Sequence, residues 1–200
     1  MARRPKPYWP SLHGPRDPGA RATSPTASRV EDPLRYIRGY SEALITRVAE
    51  LLASGELGSH LRSRYPKPHE VNSDRQLRPY VQALKNQHLR SSPPLSKVCF
   101  DGRLHLVQHA LGTHTFISRP QGGKLKAKHE LRISSLFKRC PEALLKMIVV
   151  HELAHLREKE HNEAFYQLCV HMDEAYHQHE LDARLYLIHQ EQVGPLYVTG

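Results

Sequence analysis

The sequence is poor in the residues that build several common architectures. It has three cysteines in 200 residues, Cys99, Cys140 and Cys169. They have no short metal or redox spacing. So few and so scattered, they argue against a disulfide scaffold and suit a reducing, cytoplasmic setting. No run approaches the ~18–20 apolar residues of a membrane-spanning helix, which removes an integral membrane protein from consideration. There is one tryptophan. No zinc-finger spacing, RNA-binding aromatic motif or helix-turn-helix is legible. The Gly-x-x-x-x-Gly-Lys of a P-loop is absent as well. The basic start of the chain (Arg3, Arg4, Lys6) is not followed by the apolar stretch of a secretory signal.

What is abundant is charge and histidine. Lys and Arg number 29, Asp and Glu 20 and His 15, for a formal net charge of +9. The charge is unevenly placed: residues 1–150 carry a net +15 and residues 151–200 a net −6. A basic body raises the local concentration of anionic partners, although a solvated basic surface needs no partner at all. Hydrophobic residues make up 39%, somewhat below an ordinary globular domain. That balance and this length fit one domain with a polar extension.

Residues 1–33 read as the extension. Prolines at 5, 7, 10, 15, 18, 25 and 33 are separated by Gly, Ser and Arg, with neither a helix nor a strand period. The domain is expected over 34–190, with a C-terminal tail over 191–200. Its first part reads as helical. Ser41 can cap a helix bearing Leu44, Ile45, Val48, Leu51 and Leu52 on one face, with Gly55 as its stop. Asp74 can start another with Leu77, Tyr80, Val81 and Leu84, although Pro79 sits awkwardly in it. Strands follow over 97–134. Val98 and Phe100 alternate, Asp101-Gly102 signals a two-residue hairpin, and Leu104 and Leu106 alternate again. A segment at 114–118, a Gln121-Gly122-Gly123 turn, and then Leu131 and Ile133 complete an expected antiparallel sheet. Pro141 and Glu142 then open a helix that is apolar on nearly every face. A further helix carries Phe165, Leu168, Cys169 and Met172. Helices, then strands, then helices give an α+β class with a small antiparallel sheet.

The apolar helix runs directly into His151, Glu152, Leu153, Ala154 and His155. Two histidines four apart share a helix face one turn apart, so both imidazoles can reach one Zn²⁺. Glu152, beside the first, can take a proton from water activated there. A bare match to this pattern also arises by chance. Here its position at the end of a core helix is informative, because polar groups there need partners or a metal. A catalytic zinc usually has three protein ligands and an open position. His161 is the best third, with His171, His177, His179 and Glu180 as rivals. On an unbroken helix His161 would lie ~9 Å further along and turned away, so the helix must end soon after His155. Asn162 can cap the next helix, leaving His161 free to turn back.

The stretch from Met147 to Leu156, with His161, Asn162 and Phe165, resembles the YgjP-like metallohydrolase family, a relative of the SprT and WLM zinc peptidases. The resemblance also takes in Lys97, Val98 and Asp101-Gly102, then Ala110 to Gly112, His114 and Thr115. It continues with Ser118, Arg119 and 121–128, then 165–169, Tyr176, His177, Gln178 and 184–186. It spans about residues 39–188. It implies a zincin-like fold, one Zn²⁺ (or another divalent ion) on His151, His155 and His161, and Glu152 as catalytic base. Metzincins share the ligand order, but this chain has Glu158 where they have glycine.

The substrate is less defined. Residues 119–139 carry a net +6, which suits a phosphate-rich substrate. Arg119, Lys124, Lys126, Lys128, His114, His177 and Arg184 are the candidate substrate-binding residues. Tyr176 and Tyr186 join Arg119, Arg184, His114 and His177 as candidates to stabilise charge on the attacked centre. The leading expectation is a zinc-dependent hydrolase of metallopeptidase type, with peptide bound along an edge strand at 129–134. The alternative implied by the resemblance is a UTP pyrophosphatase using the same metal site. A third is a protease docked on nucleic acid through its basic surface, which rests on charge alone. No membrane partner is expected.

Overall fold

The computed structural model describes residues 32–102, 112–121 and 124–197, and over 112–128 the strand backbone alone. The proline-rich stretch before residue 32 and the expected strand at Leu104 and Leu106 lie outside the described residues. A short 3-10 turn, Arg35–Ile37, leads into α1, Glu42–Ala53. The Ser41 hydroxyl accepts the Leu44 N–H at the start of α1, and Gly55, at φ 74°, turns the chain past its end. Helix α2, Leu57–Arg64, follows at once.

Helix α3 spans Asp74–His88 and carries Pro79 in its second turn. The helix continues through the proline because the buried Leu77 and Val81 hold it against the core. Asp74 Oδ1 accepts the Phe100 N–H at 2.8 Å, tying the start of α3 to the first strand.

The three strands are β1, Leu95–Asp101, β2, Gly112–Gln121, and β3, Lys124–Ser134. Their order is β1-β3-β2. β2 and β3 are antiparallel, Gln121 facing Lys124, but β1 pairs with β3 in parallel, Val98 facing Leu131 and Phe100 facing Ile133. The sheet is therefore mixed, which corrects the antiparallel expectation within an α+β fold. β1 and β2 are not neighbours, because β3 lies between them; the hairpin expected at Asp101-Gly102 has its second arm, Leu104 and Leu106, outside the described residues. Residues 129–134, expected at an edge, are in the centre, with Leu131 and Ile133 wholly buried. A turn signal reports where a chain reverses and carries no information about which strand is central.

A second 3-10 turn, Ser135–Arg139, leads to α4, Glu142–Ala154. Leu144, Leu145, Met147, Ile148, Val149, Val150, Leu153 and Ala154 are fully buried. Helix α4 is thus covered on all sides: it touches β2, β3 and α3, and also α5, Glu163–Met172, and α6, Tyr176–Gln192. Helix α6 also has apolar residues on several faces, since Leu185, Tyr186, Leu187 and Ile188 are all buried. Part of the stretch expected as a C-terminal tail packs onto this body. Leu196 is buried, and the Tyr197 hydroxyl donates to the Tyr65 carbonyl at 2.7 Å.

Candidate metal centre

Helix α4 ends at Ala154, with His155 at its C-cap. The Arg157 and Glu158 N–H groups close back on the Ala154 carbonyl, so the chain leaves the helix axis within one turn. Asn162 then caps α5, its side chain accepting the Phe165 N–H at 2.9 Å. His161, between the two helices, returns toward α4 as the spacing argument required.

His151, His155 and His161 each offer one ring nitrogen, and these atoms all lie within 4.8 Å of one another. The Nε2 atoms of His151 and His161 are 3.1 Å apart. Phe165 supports all three rings, its centroid 5.0 Å from His151 and 4.7 Å from both His155 and His161. His155 Nδ1–H donates to the Glu158 carbonyl at 2.9 Å, which leaves its Nε2 bare. His151 Nδ1 lies 2.7 Å from the Tyr176 hydroxyl. Burial, followed by the neighbouring His155 and His161, holds His151 well below the usual histidine range. Burial also lowers His155. Both are therefore held as neutral imidazoles, the form that ligates metal.

Glu152 is 1% exposed, and its Oε2 is buried without a hydrogen-bond partner. Burial pushes its carboxyl up to about 8. An orphaned carboxyl oxygen is costly in a protein interior. The neutral imidazoles of His151 and His155, with His161 converging on them and the buried Glu152 next to His151 in the chain, therefore form a donor set that fits a divalent cation. Among the described residues this is the one such cluster.

The other candidates are placed differently. Arg184, on α6, is bound to Glu180 Oε1 at 2.5 Å and to the Tyr36 carbonyl at 2.9 Å, so its guanidinium secures the first 3-10 turn. Tyr186 is fully buried and donates to the Leu136 carbonyl at 3.0 Å, away from the cluster. Tyr176 is also fully buried, behind His151. His177, in the first turn of α6, packs 5.9 Å from the Tyr166 ring, which in turn stacks on His161. Of the rival ligands, His171 meets His88 edge-on, His179 Nδ1 bonds Asp173 at 2.8 Å, and Glu180 holds Arg184.

The side chains of His114, Arg119, Lys124, Lys126 and Lys128 lie outside the described residues. Their strand positions are set by register. Arg119 faces Lys126 and His114 faces Leu131.

Sequence reasoning missed the roles of Phe165, Tyr176 and the Glu158 carbonyl. In the sequence Phe165 reads as an apolar helix position and as part of the family resemblance, with no link to the imidazole rings. Tyr176 and His151 are separated by 25 residues, and no pattern links them.

Residues 119–183 match the family described as YgjP-like, metallopeptidase domain. A protein of Escherichia coli (strain K12) named UTP pyrophosphatase is 54% identical over 154 residues, covering 77% of this chain and 92% of that protein. No solved structure matches.

Proposed function

The chain belongs to the YgjP-like family of metal-dependent hydrolases, and from that premise we propose that it is a pyrophosphohydrolase of nucleoside triphosphates, with UTP as substrate. The observation that carries the hydrolytic site is the convergence of the His151, His155 and His161 imidazoles, with the unpartnered Oε2 of Glu152 one residue along α4. The substrate follows from the relative named UTP pyrophosphatase. The metallopeptidase alternative retains the family description in its favour. Nucleic-acid docking has no support beyond charge.

On this reading His151, His155 and His161 hold one zinc ion, the metal best suited to a three-imidazole set with an open position. Bound there, the ion lowers the pKa of water and polarises the substrate oxygen. Glu152 accepts the proton of the attacking water at Oε2 and returns it to the leaving pyrophosphate oxygen. Burial alone keeps this carboxyl protonated near neutrality, and a neighbouring cation favours its ionised form. The Glu158 carbonyl and Phe165 keep the imidazoles from turning. His114, in register with Leu131 of the central strand, is the first strand residue to test against the substrate. Lys124, Lys126, Lys128 and Arg119 contribute long-range attraction for a polyanion. His177 flanks Tyr166 at the rim of the cluster. In this reading residues 34–190 form the single, zincin-like catalytic domain behind a 1–33 tail, acting in the cytoplasm. No helix among the described residues is long and apolar enough to cross a membrane.

The test is Glu152→Gln, assayed against UTP, other nucleotides and unfolded proteins after metal content is measured. Retained zinc, with UTP turnover reduced ~10²–10⁴-fold, is the expected outcome. Loss of peptide cleavage with no UTP turnover in the wild type transfers the site to the peptidase reading. Undiminished turnover removes Glu152 as the base.

A further inference from the structure

We propose that Tyr176 is the positioning residue of this site: its hydroxyl accepts the His151 Nδ1–H and thereby holds His151 in the tautomer whose Nε2 is bare toward His155 and His161. The proposal rests on the cation reading above.

His155 and His151 do not reach that tautomer by the same means. At His155 the partner is the Glu158 carbonyl, which can only accept, so the backbone alone fixes the proton on Nδ1. At His151 the partner, 2.7 Å away, is a hydroxyl, which can either donate or accept. If Tyr176 donated to Nδ1, the His151 proton would sit on Nε2, on the side where a cation has to bind. The cation decides between the two arrangements: a ligating Nε2 must be bare, so the proton lies on Nδ1 and the phenolic oxygen 2.7 Å away accepts it.

The packing keeps this arrangement in place. Tyr176 is 0% exposed, so water does not compete for its hydroxyl. The Tyr176 and His151 rings lie nearly parallel, 15° between planes and 6.4 Å between centroids. Phe165 meets His151 edge-on, at 76°, so the imidazole cannot rotate away from the phenol without displacing a buried aromatic ring. Tyr176 therefore touches a ligand and no substrate atom; its effect on turnover passes through the cation.

The experiment uses the full chain carrying Tyr176→Phe, which keeps the ring and removes the hydroxyl. Zinc affinity is measured by competition with a chromophoric chelator. The His151 tautomer is read from side-chain ¹⁵N shifts with and without zinc. The expected result is zinc binding ~10–100-fold weaker, the range for removal of such an outer partner. The wild type shows His151 protonated on Nδ1, and the variant shows a mixture. A purely structural role would lower the unfolding midpoint and leave the tautomer unchanged. Tyr176→Phe binding zinc within about twofold of wild type, with an unchanged tautomer, overturns the proposal alone. A wild-type chain that binds no zinc, or binds it equally well as His155→Ala, overturns the cation reading and this proposal with it.

Discussion

Phe165 shows how a residue with no polar atom in its side chain can govern a metal site. It is 0% exposed and in contact with three imidazole rings, edge-on to His151 and His161 and tilted against His155. Phe165→Ala opens a void that all three rings border. A loss of about 3–5 kcal/mol in the stability of the metal-free chain is expected from such a truncation. Zinc affinity should fall as well, because rings free to turn must be ordered again on binding. Phe165→Leu, which fills most of the volume, should recover most of both. Urea unfolding and chelator competition on the two variants check this. Equal zinc affinity in Phe165→Ala and wild type would show that the loop and α4 orient the ligands without the ring.

At the scale of the element, the site depends on a break between two helices. His161 belongs to neither α4 nor α5, and Asn162 determines where α5 begins. Asn162→Ala removes the side-chain acceptor for the Phe165 N–H and should cost about 1 kcal/mol. It should also weaken zinc binding, since His161 is the preceding residue. Asn162→Asp, which keeps an acceptor, should restore both quantities. Thermal unfolding and zinc titration of the pair provide the check; a drop in stability with no change in zinc affinity would detach the cap from the ligand. This part of the molecule was legible in the sequence because its rules are local: a four-residue histidine spacing, a cap residue and an apolar run. The ends of α4 and α5 follow from them. The sheet was less legible. The parallel pairing of β1 with β3 joins residues more than 30 apart, and alternation looks the same in a central strand and at an edge. Helix α6 escaped periodicity because apolar residues occupy several of its faces. The partners of Arg184, Glu180 and the Tyr36 carbonyl, were not legible either, because no local pattern links α6 to the first 3-10 turn.

At the scale of the whole molecule, the helices before the sheet must be joined to the body that carries the ligands, and His69 is one of the joints. It lies between α2 and α3, where its Nε2–H donates to the Phe137 carbonyl at 2.7 Å and its Nδ1 accepts the Val71 N–H at 3.0 Å. Its own N–H donates to the Cys140 carbonyl at 3.0 Å, one residue before Pro141 and the start of α4. Both ring nitrogens are thus committed in the neutral form, and a second proton would have to enter at Nδ1 against the Val71 N–H. Burial holds the pKa of His69 below its ordinary 6.5, against smaller opposing effects of the Phe137 carbonyl and Glu142. With a depressed folded value, the unfolded chain binds the proton first as pH falls. The contribution of His69 is therefore fully present above 6.5, is lost as pH falls from 6.5 toward the folded value, and changes no further below it. His69→Gln offers a donor and an acceptor to the same two backbone groups without titrating. At pH 7.5 its stability should lie within about 1 kcal/mol of wild type. Between pH 6.5 and 5 the wild type should lose more stability than the variant, so the two unfolding curves converge on acidification. Urea unfolding at several pH values across that window, on chelator-treated protein so that the metal ligands contribute equally to both, measures the difference in slope. Parallel curves would show that His69 is protonated as readily in the folded chain as in the unfolded one, and that acid does not loosen this joint.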